Sequence, residues 1–287
     1  MMNRLLVGIL ALLSGCVGGG PGMQGATYTV GSPYQVGGEW RYPHVFSSYD
    51  VTGLGVVSDN DAGSRTADNE TYSPYGLTAA SPVLPLPSIV TVTNLVNGYS
   101  MQVRVNDRGP DIPGRVIAVT PRVARLLGFP PQGVVEVEVK LDSQASAALQ
   151  NSLGGGPKLQ AAPVAGIAAQ SLAPPGSAAG NGATEQLLPA NGVGVQAQGP
   201  QLTGQVNITA PAPGPLWVRV SGFGSVQGAA GIGARLYGMP RRIIPVSGGA
   251  RTLWAVETGP YNSVAAADAA LQRELALGIA GPEIVVR

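Results

Sequence analysis

The sequence predicts a mainly β domain followed by a smaller α+β domain, with a long low-complexity segment between them. Three observations carry that reading. Short runs in which Val, Ile and Thr alternate with polar residues recur between Val51 and Leu141, the stretch 142–213 loses all apolar periodicity, and from Leu216 onward strand and helix patterns return in the order βαββαβ.

The chain opens with a targeting pattern. Arg4 and the amino terminus make a short positive region, and Leu5 to Leu13 is an apolar run too short for a permanent membrane helix, so residues 1–15 are expected to be a signal peptide. Leu13-Ser14-Gly15-Cys16 resembles the bacterial lipobox, which implies that Cys16 is lipidated and becomes the new amino terminus. Cys16 is the only cysteine, so no disulfide forms within the chain. Val17 stands where lipoproteins kept at the inner membrane carry Asp, which implies an anchor in the periplasmic face of the outer membrane of a Gram-negative bacterium. Residues 16–45 are expected to be a tether and lead-in, Gly-rich up to about Tyr28 and then rich in aromatic residues and Pro.

Residues 46–141 hold the β domain. Strands are expected at Val51–Val57, Ile89–Leu95, Ser100–Asn106, Arg115–Val119 and Val134–Leu141, with a turn at Val96-Asn97-Gly98-Tyr99. One short helix sits among them: Thr120 suits the N-cap, Pro121 the first helical position, and Gly128 closes Arg122–Leu127. Residues 142–213 are Ala, Gly, Gln, Pro and Ser with few charges and no aromatic residue, so they predict a disordered linker. A flexible chain of that length reaches on the order of 45 Å, enough to separate two modules without fixing their angle. Residues 214–287 predict strands at Trp217–Ser221, Arg241–Val246, Thr252–Thr258 and Glu283–Val286, with helices at Val226–Leu236 and Val264–Leu277.

Composition narrows the partners. A net charge of +1 offers no basic face for nucleic acid, and with one Cys and one His, His44, the spacing of a zinc site is missing, so neither a metal nor an organic cofactor is expected.

The chemistry concentrates in Val103-Arg104-Val105-Asn106-Asp107-Arg108-Gly109-Pro110, where an alternating strand breaks into a turn carrying an acid and two guanidinium groups. With Leu77-Thr78-Ala79-Ala80-Ser81-Pro82 and Leu84-Pro85-Leu86-Pro87-Ser88 upstream, it resembles the double-psi β-barrel domain of the rare lipoprotein A (RlpA) family of septal peptidoglycan lytic transglycosylases. That resemblance implies a barrel with Asp107 as acid/base at the mouth of a groove, and Arg104 or Arg108 pairing with it or holding substrate. In Arg65-Thr66-Ala67-Asp68-Asn69-Glu70 it implies a second catalytic acid, Glu70. The likeness has gaps: Ser73 and Ser81 stand where the family carries Asp and His, Ala118 replaces a further acid, and Gly55-Val56-Val57-Ser58-Asp59 replaces its lead motif.

Residues 214–287 resemble the SPOR domain, through Trp254 to Tyr261 with its Gly-Pro-aromatic ending and through the Ala-rich stretch from Ala265 to Ala270. This implies binding of glycan strands stripped of stem peptides, enriched at the septum, by a sheet face with Trp217, Arg219, Trp254 and Tyr261. Two function classes follow. One is a lytic transglycosylase that cleaves such strands to 1,6-anhydromuramyl products in division-associated wall remodelling. The other is a catalytically impaired glycan-binding scaffold or partner of lytic enzymes at the septum, and an expansin-like wall loosener ranks below both.

Overall fold

The computed structural model describes residues 25–130, 133–155, 202–248 and 251–287. The signal peptide, Cys16 and the start of the tether lie outside the described residues, as does most of the stretch expected to be a linker. A lead-in hairpin comes first, β1 (Tyr34–Val36) and β2 (Glu39–Arg41), followed by β3 (Asp50–Val57), β4 (Thr78–Ala80), β5 (Ser88–Asn94), β6 (Tyr99–Asp107) and β7 (Arg115–Val119). Helix α1 (Pro121–Leu126) and strand β8 (Val134–Leu141) complete the domain.

These strands close into a six-stranded barrel. Neighbours run β4-β7-β3-β8-β5-β6, and β4 returns to pair in parallel with β6, so no edge is left open. The alternation read from sequence is the reason: Val90, Val92, Met101, Val103, Val105, Val137 and Val139 point inward and are fully enclosed. Helix α1 begins where expected, with the Thr120 hydroxyl accepting from the Val123 N–H and Pro121 in the first turn.

The expected linker needs correction at both ends. Ser143–Ser152 is a helix, α2, capped by Asp142 and seated on β5, where the Ser146 hydroxyl accepts from the Ile89 N–H at 2.8 Å and Gln150 donates to the Pro87 carbonyl at 3.0 Å. Leu149 is buried beneath it, so a segment that composition assigned to disorder had one apolar anchor and a good N-cap. Further on, β9 (Asn207–Ile208) adds to β6.

The C-terminal module follows the expected order: β10 (Leu216–Phe223), α3 (Val226–Arg235), β11 (Arg241–Gly248), β12 (Arg251–Tyr261), α4 (Val264–Ala276) and β13 (Glu283–Val286). Its antiparallel sheet is ordered β11-β12-β10-β13. Its angle to the barrel is not free. Leu54 and Leu95 of the barrel share one apolar cluster with Leu216, Leu271 and Ile284, and the Thr52 hydroxyl donates to the Val286 carbonyl at 2.7 Å. Arg115 forks onto both carboxylate oxygens of Asp268 at 2.7 and 2.8 Å. At Gly53 a Cβ would stand 2.9 Å from the Ile284 carbonyl oxygen, so glycine lets β13 approach β3.

Candidate active site

Strand β6 carries the site because the polar residues Arg104, Asn106 and Asp107 at its end face different surroundings. Arg104 and Asn106, two apart and therefore on one face, both reach Glu70, while Asp107 turns to the barrel mouth. The Asp107 Oδ1 accepts the N–H groups of Ala67 and Arg108, each at 2.8 Å, and Oδ2 accepts the Asn60 side-chain amide at 2.9 Å. Burial raises its pKa above the usual Asp value against the pull of these donors, so the protonated form is favoured relative to an exposed carboxyl. Oδ1 is filled by two backbone donors, whereas Oδ2 has one, so Oδ2 is the oxygen left to carry a proton.

Asp107 opens on a pit of about 10 Å³, on the order of the space one water molecule needs. Its wall includes Ser58, Asn60, Tyr72, Thr78 and Thr120, with Ala118 where the resemblance expects an acid. Tyr72 is 5% exposed and its hydroxyl has no partner among the described residues. Asp107 is the only carboxylate in this lining, and the remaining polar groups are hydroxyls and amides.

Glu70 is placed differently from expectation. It is 1% exposed, paired with Arg104, and accepts the Asn106 amide at 2.7 Å through Oε2, while Oε1 has no partner among the described residues. Burial pushes it up to about 7, with Arg104 and the Asn106 hydrogen bond pulling the other way. It is absent from the lining of the pit, so the second acid that the resemblance implies is enclosed with Arg104 and Asn106 and does not face the pit beside Asp107. Asp68 is its neighbour, also raised by burial, with the Thr66 hydroxyl donating to Oδ1 at 2.7 Å.

Neither arginine is arranged to hold substrate. Arg104 is buried against Glu70, and Arg108 donates to the carbonyls of Val30 at 2.7 Å, Leu84 at 2.6 Å and Ser81 at 3.3 Å, clamping the lead-in and the loop after β4 onto β6. Ser81 is 1% exposed, its hydroxyl accepting from the Val83 and Leu84 N–H groups, and Ser73 lies on an exposed turn. The Asp and the His that the resemblance expects at positions 73 and 81 are thus replaced by turn-forming hydroxyls.

On the C-terminal sheet, Trp217 is 9% exposed because Arg242 lies 3.7 Å over its ring. Trp254 is half-buried against the cluster of Val220, Ala229 and Leu236, and Tyr261 against that of Leu216 and Leu271, so these three aromatics are packing residues and not an open stacking face. Arg219 belongs to an ion cluster: Glu257 accepts from Arg219 at 3.0 Å, from Arg242 at 2.8 Å and from Arg287 at 2.6 Å. Burial alone would raise Glu257, but hydrogen bonds from Arg287, Arg242 and Arg219 hold it below the ordinary glutamate value. A larger cavity of about 450 Å³ lies elsewhere, between Glu136 of the barrel and Leu216, Tyr261 and Ser263 of the module, and shares no residue with the pit.

Sequence reasoning did not single out Asn60 or Tyr72. Asn60 lies 47 residues from Asp107, a pairing that no local pattern encodes.

The closed barrel with an acid at its mouth defines a class. Residues 58–139 match the family model described as lytic transglycolase, a double-psi β-barrel family, a stretch that takes in β4 to β7 and most of β8 and leaves β3 and the C-terminal module outside. Among individual proteins, the chain is similar to the endolytic peptidoglycan transglycosylase RlpA of Rickettsia bellii, 37% identical over 129 residues that make 43% of this chain and 57% of that relative. Those of Pseudomonas aeruginosa and Yersinia pestis are 44% identical over 111 residues and 38% over 160, covering 38% and 47% of this chain and 33% and 44% of the relatives. The matched stretch thus spans 33 to 57% of the length of these curated relatives.

Proposed function

We propose that this protein is a peptidoglycan lytic transglycosylase with Asp107 as its single acid/base. The observation that supports this most is the Asp107 carboxyl, raised by burial, facing a neutral pit, with one oxygen left to carry the proton. The protonated carboxyl gives its proton to the glycosidic oxygen as the C1–O bond breaks. The resulting carboxylate then takes the proton of the sugar's own 6-hydroxyl, whose oxygen bonds to C1 and closes a 1,6-anhydro ring. No water is consumed and the acid is restored. Glu70, held between Arg104 and Asn106, sets the position of β6 beneath it. The test is incubation with peptidoglycan stripped of stem peptides: 1,6-anhydromuramyl ends are expected from the parent and not from Asp107→Asn. Turnover by the variant equal to the parent's would remove Asp107 from the role.

A second reading, a glycan-binding scaffold with weak or no turnover, is favoured by the enclosure of Glu70 and by Ser73, Ser81 and Ala118. Binding of denuded glycan by the parent without anhydro products selects it.

The reading extends to placement. Cys16 carries a lipid that anchors the protein in the outer membrane, and Cys16→Ser is expected to lose incorporation of labelled fatty acid. The C-terminal module acts as a SPOR domain on septal denuded glycan through Arg219, Arg242 and Arg287, the polar groups of its sheet. A fluorescent fusion of the full chain is expected at the septum, and Arg219→Ala to spread it around the periphery; an evenly spread parent fusion would sink septal targeting.

A further inference from the structure

The lead-in hairpin is built inside out. The turn Gly37-Gly38 has φ of +55° and +85°, values that glycine accepts readily, and this two-residue turn locks the pairs Val36↔Glu39, Gln35↔Trp40 and Tyr34↔Arg41. That register sends Glu39 and Arg41 inward as an ion pair at 2.8 Å with side-chain exposures of 3% and 13%. It sends Trp40 and Tyr42 outward, 54% and 59% exposed, their rings stacked at 6.4 Å between centroids and 29° between planes.

Hydrophobic burial alone would choose the opposite face. A slip of one residue would bury two large aromatic side chains and free two charges to water. Burying a charge pair while exposing two rings is an arrangement that packing does not reward, and an exposed aromatic patch of this kind marks a contact surface.

The hairpin is also fastened beside the candidate active site. Arg108, next to Asp107, donates to the Val30 carbonyl, and the Tyr34 hydroxyl donates to the Pro82 carbonyl at 3.1 Å. Tyr34 lies within electrostatic reach of Arg108, Asp111 and Asp107. The lead-in is therefore tied to Arg108 and Pro82, one residue beyond Asp107 and two beyond Ala80 of the pit lining, and the rings stand on its outer face, outside the 58–139 stretch that matches the family model.

We propose that Trp40 and Tyr42 form a sugar-stacking platform that holds a pyranose unit of the glycan strand away from the point of cleavage. This rests on the reading of the Asp107 groove as a glycan site. A pyranose ring has an apolar C–H face that lies on the electron-rich face of an aromatic ring, and its hydroxyls reach the polar tips of Trp and Tyr. Two neighbouring exposed rings, 6.4 Å between centroids with planes within 29° of each other, fit successive units of an extended strand. The charge pattern argues against a lipid surface, because the adjacent cation, Arg41, is turned inward onto Glu39.

Tryptophan emission tests the platform, since Trp40 is the exposed one of the three tryptophans, with Trp217 buried and Trp254 half-buried. The full chain is held in non-ionic detergent and titrated with a soluble β-1,4 oligomer of N-acetylglucosamine, and the difference between parent and Trp40→Phe isolates Trp40. A saturable blue shift of Trp40 is expected, with affinity about tenfold lower in Tyr42→Ala at unchanged thermal stability. A flat titration, or an unchanged affinity in Tyr42→Ala, overturns the platform. Quenching of Trp40 by brominated acyl chains in the micelles, without a sugar response, assigns the rings to a membrane surface and overturns it as well. The same titration on Asp107→Asn separates the two readings. Loss of the Trp40 response with anhydro products intact removes the platform alone, whereas turnover persisting in Asp107→Asn with the Trp40 response intact removes the catalytic assignment alone.

Discussion

At the scale of single residues, Asp107 is governed by its donors. Asn60 hydrogen-bonds Oδ2 and so favours the charged form, while burial favours the neutral one. Asn60→Ala removes a donor to the carboxylate and raises Asp107 further. A reaction that begins from protonated Asp107 falls off as pH rises through its pKa, so the falling limb of kcat/KM is expected to move to higher pH, by about one unit for one charged hydrogen bond. A limb that stays in place would show that Asp107 does not set it. Ser81 is instructive in the other direction. Restoring His there to match the family looks simple in sequence, but Ser81 is 1% exposed and its hydroxyl caps the turn to Leu84. An imidazole must displace that turn and the carbonyl that Arg108 holds, so Ser81→His is expected to lose stability before it gains activity, which thermal melting beside an assay of anhydro ends would show.

At the scale of elements, α4 carries a buried carboxyl that meets no cation among the described residues. Glu274 is fully enclosed; Thr258 donates to its Oε1, Oε2 has no partner among the described residues, and burial pushes it up to about 7 from 4.5. The folded state therefore binds this proton more tightly than the unfolded chain does. The stabilisation is complete below about 4.5, declines as pH rises, and is gone above about 7, a change on the order of 3 kcal/mol. Glu70, also pushed up to about 7, has the same sign and window in the barrel. Melting temperatures followed across that range are expected to fall with rising pH in the parent, and to fall less in Glu274→Gln, which keeps the acceptor for Thr258 and cannot ionise. An identical slope in the variant would remove Glu274 from the account.

At the scale of the whole molecule, the barrel and the C-terminal module share side chains, so they are expected to unfold together. Arg115 is buried and its fork onto Asp268 is the charged part of that joint. Asp268→Ala leaves the guanidinium enclosed and without that partner, at a cost of about 1 to 3 kcal/mol. Gly53→Val would press a side chain onto the Ile284 carbonyl and part β13 from β3. Calorimetry is expected to show one transition in the parent and two in Gly53→Val; two transitions in the parent would mean that the joint does not couple the modules.

Much of this architecture was legible in the sequence. Alternating Val, Ile and Thr announced the barrel strands, Thr120 and Pro121 announced α1, and the βαββαβ order from Leu216 to Val286 appears as expected, because period and capping are local properties of the chain. That β6 ends in an acidic turn at Asp107 was legible as well, because it is a local signal, whereas the acid/base role of that residue came from the family resemblance. What sequence could not determine was which surface each polar or aromatic group meets. Glu70 is read as a groove acid until the fold encloses it with Arg104 and Asn106, and Trp217 as a stacking residue until Arg242 covers it. Trp40 and Tyr42 are read only as part of an aromatic lead-in until the turn at Gly37-Gly38 sends them outward. Segment 142–155 reads as linker until α2 finds β5. In each case the deciding contact joins residues far apart in the chain or depends on strand register, and burial, charge pairing and access to solvent exist only once those distant surfaces have met.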